Sequence, residues 1–426
     1  MKAYQDASLA PVRRAKALLE EMTLAEKIGQ LNQRLYGFRI YERKCVNGED
    51  TIELSEEFCQ EVEKYSGLGV LYGLYRADPW ADKNYETGLT GVLSKKAYNQ
   101  VQRYVLEHSR LGIPVMMSSE CPHGHQALDG YLLPVNLLAG ATFDPAMVRA
   151  AYRVSGRQLQ NMGVDLALMS MLDVLRDPRW GRSEECYSED PYLSARMAEA
   201  AVIGMQESGP EVVAKHFAAQ GEGTGGVNAS AARIGERELR EIHFPPAAAA
   251  IKAGAKGIMA AYNEIDGVYC HANRWLLNDV IRKEMGFDGI VMSDGVAIDQ
   301  LDSMTGDNVV SGALALQSGV DVGLWDEAFG KLEEAVRRGL VKEAQIDQAV
   351  LRVLTLKFER GLFEHPYLEE EGEIHMDYAQ NPESVQLARE GLVILQNKNQ
   401  GLPFWENQAS GKKIAVVGPN ADDLYN

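Results

Sequence analysis

The chain predicts an α/β fold: a TIM-like (β/α)8 barrel, not required to be regular, followed by a linker and the truncated start of an α/β sandwich domain. Three observations point there. Short apolar runs recur at 113–118, 163–169, 211–217, 256–262, 288–293 and 319–324. Helix-like stretches at 144–161, 189–207, 235–253, 273–285 and 308–317 separate most of them. Several runs open on or follow glycine, a common break between helix and strand. Strands alternating with helices imply βαβ units and a parallel sheet. One or two further strands in the early region would bring the count to about eight and close the sheet. An open doubly wound sheet is the structural alternative. No G-x-G-x-x-G follows a strand, so a dinucleotide site has no support.

The elements follow in order. Residues 11–31 have the pattern of an amphipathic helix with Pro11 near its start. Inside it, Thr23 with Glu26 three residues on has the form of a capping box and a second N-cap. Residues 37–95 are rich in Gly, Tyr and charge and predict long loops. The alternating runs and helices come next. Residues 331–361 predict one or two closing helices that end at Gly361. An acidic linker with Pro366 spans 364–373, a helix is expected at 382–396, and a strand with a tight loop at 412–420. A buried parallel strand needs neighbours for its ladder. The expected domains are a catalytic barrel over 1–362, a linker and helix over 363–411, and the first strand of a truncated second α/β domain over 412–426.

Bulk properties narrow the function. The 426 residues are 46% hydrophobic, enough for a large core. Asp and Glu outnumber Lys and Arg, 61 to 43, for a net charge of −18. That disfavours nucleic acid or anionic membrane as a partner and suits a neutral ligand. Residues 1–6 lack the apolar core of a signal peptide, and no run reaches the roughly 18 apolar residues of a bilayer span. Five scattered cysteines without a C-x-x-C fit reduced thiols. A cytoplasmic protein without cofactor or metal is therefore expected, its oligomeric state open.

Polar residues crowd the ends of five runs, the end at which a barrel gathers its functional groups. They are Glu120 after 113–118, Arg182 in the stretch after 163–169, Lys215-His216, Tyr262, and Asp294 followed by Gly295. Each has a plainer role: Asp294 as a helix cap, Lys215 paired with an acid, His216 as a core histidine, Tyr262 in packing, Arg182 bound to Glu184 or Asp190. Together they offer several donors for hydroxyls, a carboxylate able to accept from two, and an anion among cations. That is the equipment for nucleophilic attack at an anomeric carbon.

Longer text adds a resemblance. Met22-Thr23-Leu24-Ala25-Glu26-Lys27-Ile28-Gly29-Gln30, Arg110-Leu111-Gly112-Ile113-Pro114, Asp177-Pro178-Arg179-Trp180-Gly181-Arg182 and Glu189-Asp190-Pro191 appear in turn. Lys215-His216-Phe217, Ala261-Tyr262-Asn263, Met292-Ser293-Asp294 and Ile414-Ala415-Val416-Val417-Gly418-Pro419-Asn420 follow. In these the chain resembles glycoside hydrolase family 3, the β-glucosidase and β-xylosidase family, over almost all of its length except roughly 37–95. The resemblance implies that Asp294 is the nucleophile, that Arg182, Lys215, His216 and Tyr262 hold the sugar, and that Glu120 grips its distal hydroxyls. Many glucosidases of the family carry Asp there, and xylosidase-like members often carry Glu. Glu120-Cys121-Pro122-His123-Gly124 departs from the usual small or aliphatic residues before His-Gly. Gly221-Glu222-Gly223-Thr224-Gly225-Gly226 stands where some members place a sugar-binding Arg, and the Asp-x-His dyad of the N-acetylglucosaminidase branch is absent.

The expected activity is removal of terminal non-reducing β-D-glycosyl residues with retention, a β-glucosidase first. A β-xylosidase or α-L-arabinofuranosidase of the same family is the alternative. Substrates would be β-linked oligosaccharides or aryl and alkyl β-glycosides. A second carboxyl, roughly 5–5.5 Å from the nucleophile, must protonate the leaving oxygen. The resemblance puts it in a second domain, beyond residue 426, with Glu222 and Glu264 as minor candidates inside the chain. Three rivals remain at this point: a Schiff-base aldolase on Lys215, a metal-dependent hydrolase using His123 and His125, and a sugar-binding fragment without catalysis.

Overall fold

A computed structural model describes residues 2–372, 374–400, 402, 403, 413, 415–418 and 421. Its centre is a parallel six-stranded sheet whose spatial order is its chain order. The strands are β1 (Val70–Tyr72), β2 (Met116–Glu120), β3 (Leu166–Ser170), β4 (Glu211–Phe217), β5 (Gly257–Ala260) and β6 (Ile290–Met292). Sequential order with parallel pairing means that each strand returns through a crossover outside the sheet. Helices Gly91–Glu107, Pro145–Asn161, Pro191–Gln206, Phe244–Lys252 and Trp275–Glu284 supply these crossovers. Strands β1, β3, β5 and β6 are buried throughout, which is why they read as continuous apolar runs rather than alternating ones.

Two flanking segments extend the curl. The backbone of Asp321 donates to Val291 O at 2.8 Å, and Ser293 donates to Val322 O at 2.8 Å. On its other side Gly323 donates to Leu31 O at 2.9 Å and Trp325 to Gln33 O at 3.0 Å. Tyr36 in turn bridges Tyr72 of β1 in parallel sense.

Local chemistry explains the helix boundaries. Asp144 and Asp190 accept from backbone N–H groups at the starts of their helices, with Pro145 and Pro191 in the first turn. Thr23 accepts from Glu26 N while Glu26 reaches back to Thr23 N, the capping box expected there. Residues 11–31 are therefore two helices, Pro11–Leu19 and Leu24–Gln30, rather than one.

Several expectations need correction. Residues 37–95 hold more than loops: a hairpin of Tyr41–Val46 with Glu49–Leu54, the helix Glu56–Tyr65, and β1. Residues 319–324 are not a full strand of the sheet: the pairing to β6 is one isolated bridge, Met292 to Val322, with the backbone bonds of Asp321, Val322 and Ser293 around it. The helix expected at 382–396 is Glu383–Gly391. Leu392 turns extended with ψ 121°, and it opens the exposed apolar run 392–395. The strand expected at 412–420 lies largely outside the described residues. All five cysteines are free. Among the described residues no helix is long and apolar enough to cross a membrane.

Candidate active site

The carboxyl ends of the strands bring the expected residues together. Glu120 closes β2, Lys215 and His216 lie near the end of β4, Tyr262 follows β5 and Asp294 follows β6. Arg182 comes from the loop after β3. Adjacent residues of a regular strand face opposite ways, yet Lys215 and His216 both join the site. The ladder between β4 and β5 shifts register between Ala214 and Phe217, and such an irregularity re-aims a side chain.

The residues form two linked pairs of charges. Lys215 Nζ donates to Glu120 Oε2 at 2.6 Å, and Tyr72 donates its hydroxyl to Glu120 Oε1 at 3.1 Å. Burial works against the Glu120 charge, but Lys215 and Arg76 outweigh it and hold the carboxyl below its usual pKa. Arg182 grips Glu185, not Glu184 or Asp190, through Nε at 2.7 Å and Nη2 at 2.8 Å. Burial opposes this pair as well. The guanidinium prevails, holding the Glu185 carboxyl well below the carboxylate range, and Glu185 with Asp294 raises Arg182 above its own usual value.

His216 connects these groups to Asp294. Its Nδ1 lies 2.8 Å from Asp173 Oδ2, and Arg182 Nη2 lies 3.0 Å from its Nε2. Since a guanidinium can only donate, Nε2 accepts and the ring proton sits on Nδ1, toward Asp173. Asp173 also accepts from the backbone N–H of His216 at 3.2 Å and of Gly221 at 3.3 Å. The Nε2 atom stands 3.6 Å from Asp294 Oδ2.

Asp294 is 8% exposed. Its Oδ1 accepts from Gly295 N at 2.8 Å, while Oδ2 is buried with no hydrogen-bond partner among the described residues. A buried carboxylate oxygen without a partner is costly and calls for a reason. Tyr262 donates its hydroxyl to Gly295 O at 2.8 Å. Burial, then the charge of Asp294, push its phenol far up in pKa, so it stays protonated.

Four supporting residues escaped the sequence reading. Glu185 could have been found by its three-residue spacing from Arg182 on one turn. Tyr72 lies in the stretch 37–95, where long loops and one or two unplaced strands are expected. His271 accepts the Asp294 backbone N–H on Nε2 at 3.1 Å; burial pushes its pKa down to about 3, so it stays neutral. Asp326 accepts from Ser293 Oγ at 2.6 Å and Ile298 N at 2.8 Å, fixing the loop on both sides of Asp294, and burial raises its pKa to about 7.

The rivals fare differently. Lys215 is salt-bridged to Glu120, so its ammonium is engaged rather than poised to attack a carbonyl. Among the described residues no group of three or more His, Cys, Asp or Glu is arranged to hold a metal ion. His125 instead shares a 2.8 Å hydrogen bond with Ser119, and burial lowers its pKa to about 3. Glu222 is held below its usual pKa by His243, despite burial, and Arg176 adds to this. An anion so held is a poor proton donor.

Comparison with known proteins agrees with this geometry. The model of the glycosyl hydrolase family 3 N terminal domain matches residues 23–356. A putative β-xylosidase of Formosa agariphila is 33% identical over 99% of this chain and 55% of its own length. A periplasmic β-glucosidase of Salmonella typhimurium is 32% identical over 95% of this chain and 50% of its own. The solved structure of a β-glucosidase from Erythrobacter marinus superposes with a TM-score of 0.83 at 32% identity, over 95% of this chain and 52% of that one. The chain thus spans about half the length of the relatives it matches.

Proposed function

The chain belongs to glycosyl hydrolase family 3, and on that premise we propose that it carries the nucleophile and sugar-binding half of a retaining exo-β-glycosidase. One observation carries the reading: Asp294 Oδ2 alone lacks a partner, while the carboxylates Glu120, Asp173 and Glu185 around it all have theirs. In this reading the open oxygen attacks the anomeric carbon of a bound sugar, and water later releases the glycosyl group. The neighbours keep donors in reserve. Lys215 has three N–H groups and gives one to Glu120; Arg182 leaves Nη1 unengaged. These would meet the sugar hydroxyls, with Glu120 accepting at the far end and His216 and Tyr262 closing the side of Asp294.

The fold reading extends in the same way. We take segments 31–36 and 320–325 as the two remaining members of a closed barrel, supported by their backbone bonds to each other, to β1 and to β6. The barrel would occupy 1–362, with 363–411 as linker and helix and 412–426 beginning a second α/β domain. No carboxyl among the described residues is assigned as the acid that protonates the leaving oxygen.

A β-glucoside is the first choice of substrate. A β-xyloside is the second, favoured by the identity of Glu120 and by the Formosa agariphila relative. Rates on an aryl β-glucoside and an aryl β-xyloside, measured side by side, decide between them. Incubation with an activated deoxyfluoroglycoside followed by peptide mass analysis tests the nucleophile. The label is expected on Asp294, and a label on any other residue sinks the assignment.

A further inference from the structure

The end of the sheet opposite Asp294 holds a second cluster of charge. Asp321 is buried beside the start of β6, where its Oδ2 accepts from Val291 N at 2.8 Å. Two guanidiniums share that one carboxylate. Arg282 Nη2 donates to Oδ2 at 2.6 Å, and Arg352 Nη1 donates to Oδ1 at 2.8 Å. Arg282 Nη1 also donates to Gly289 O at 3.1 Å, just before β6. Arg274 lines the same cavity as these two. It is exposed and makes no ion pair or side-chain hydrogen bond among the described residues.

The positive charge here is not balanced. Besides Asp321, the charge of Asp288 reaches Arg282. Three guanidiniums against two carboxylates still leave one in excess, in a chain whose net charge is −18. Burial holds the Arg282 guanidinium below its usual pKa; Asp321 opposes this, and the charge of Arg352 adds to it. Like charges on a shared partner repel, and an anion between them relieves the repulsion.

The cavity measures about 160 Å³, room for roughly five waters. That suits one phosphate group and no nucleotide. Gln345, in the first turn of helix Glu343–Glu359, lines it too. Its Oε1 accepts from Lys342 N, so its amide NH2 remains to donate. Glu343 in the same turn is taken by Lys27, and the positive end of the helix dipole adds to the field. Planar guanidinium forks match the oxygens of a phosphate, and a neutral ligand would leave the excess charge unmet.

We propose that Arg274, Arg282 and Arg352 bind one phosphate group, free or carried by a small ester, at the amino end of the sheet. Bound there, it joins the start of helix Trp275–Glu284 to helix Glu343–Glu359 by charge-assisted hydrogen bonds. The site is independent of Asp294 and of the glycoside substrate.

Calorimetric titration of the full chain with inorganic phosphate tests it, at about pH 7.5, where phosphate is mostly a dianion, and at ionic strength held constant with chloride. One saturable site with a Kd of about 1 mM or tighter is expected. Arg274→Gln removes a charged donor that the described fold does not use. Circular dichroism should therefore stay the same while the affinity falls about tenfold. Arg233→Gln removes an exposed arginine outside the cavity, likewise without a partner among the described residues, and should leave the affinity as it was. Methyl phosphate binding as tightly as inorganic phosphate would support the site as one for the phosphate of an ester; binding of inorganic phosphate alone would support it as one for the free ion. Absence of saturable binding, the same affinity after Arg274→Gln, or an equal loss from Arg233→Gln overturns the site.

Discussion

The two flanks of the site are built on opposite principles. On one, Glu120, Arg182, Lys215, His216 and Asp294 stand at successive strand ends and are held by ion pairs and hydrogen bonds. On the other, Tyr36, Trp80 and Trp325 meet ring against ring from segments far apart in the chain. The charged flank has direction: Lys215 and Arg182 aim at Glu120 and Glu185, and among the described carboxylates of this flank Asp294 Oδ2 is left open. The aromatic flank has shape without direction, and Trp80 stays partly exposed. In the proposed reading the charged flank carries the chemistry and the orientation of the sugar.

The hardest blow falls on the charged flank. Asp294→Ala should lower kcat/KM on an activated aryl β-glycoside by about 10⁴-fold or more, with far-ultraviolet circular dichroism unchanged. A loss of only a few fold would mean that the open oxygen is not the nucleophile.

Glu185→Gln comes next. It leaves Arg182 without its charged partner, and denaturant unfolding should show a loss of about 3 kcal/mol. That is the low end for a buried pair, because the two side chains retain 23% and 17% exposure. If stability is unchanged, the pair does not brace this flank.

Acid should separate the flanks, since only one of them titrates. His271 has a folded pKa of about 3, below the roughly 6.5 of an unfolded histidine. The unfolded chain therefore binds the extra proton, so this contribution is whole above about pH 6.5 and is lost as pH falls toward the folded value. The drop from pH 6.5 to 5 should be about 2 kcal/mol from this residue. His271→Asn should remove this share of the slope over that interval, leaving the like share of buried His125, and an unchanged slope would show that His271 does not stay neutral behind Asp294.

The smallest effect lies where the flanks meet. Tyr72→Phe keeps the ring against Trp325 and removes the hydroxyl that donates to Glu120 and accepts from Arg76. A loss of about 1 kcal/mol is expected, read by calorimetry as roughly fivefold in affinity for methyl thio-β-glucoside. An unchanged affinity would show that the aromatic flank does not brace Glu120.

How far the sequence reached can be seen residue by residue. Glu120, Lys215, Tyr262 and Asp294 were legible because each stands at or just beyond the end of an apolar run, and the order of runs and helices is a local pattern. Arg182 was legible through its motif, but its partner was not. Glu184, Glu185 and Asp190 are all within reach along the chain, and the loop geometry selects Glu185. His271 and Asp326 gave no signal, because each acts on the Asp294 loop from another segment. The stretch 37–95 predicted loops because its hairpin is half exposed and β1 is only three residues long. Strands so short carry no readable period.

By itself the sequence determined the alternation of strand and helix, the polar residue that ends each run, and the excess of negative charge. These depend on neighbours a few positions apart, where periodicity and capping act. Only the tertiary structure decided which acid holds which base, which carboxylate oxygen stays open, and that Tyr36, Trp80 and Trp325 share one panel. Those outcomes depend on distances of a few ångströms between segments as much as 289 positions apart, and chain order does not encode such distances until the sheet has curled.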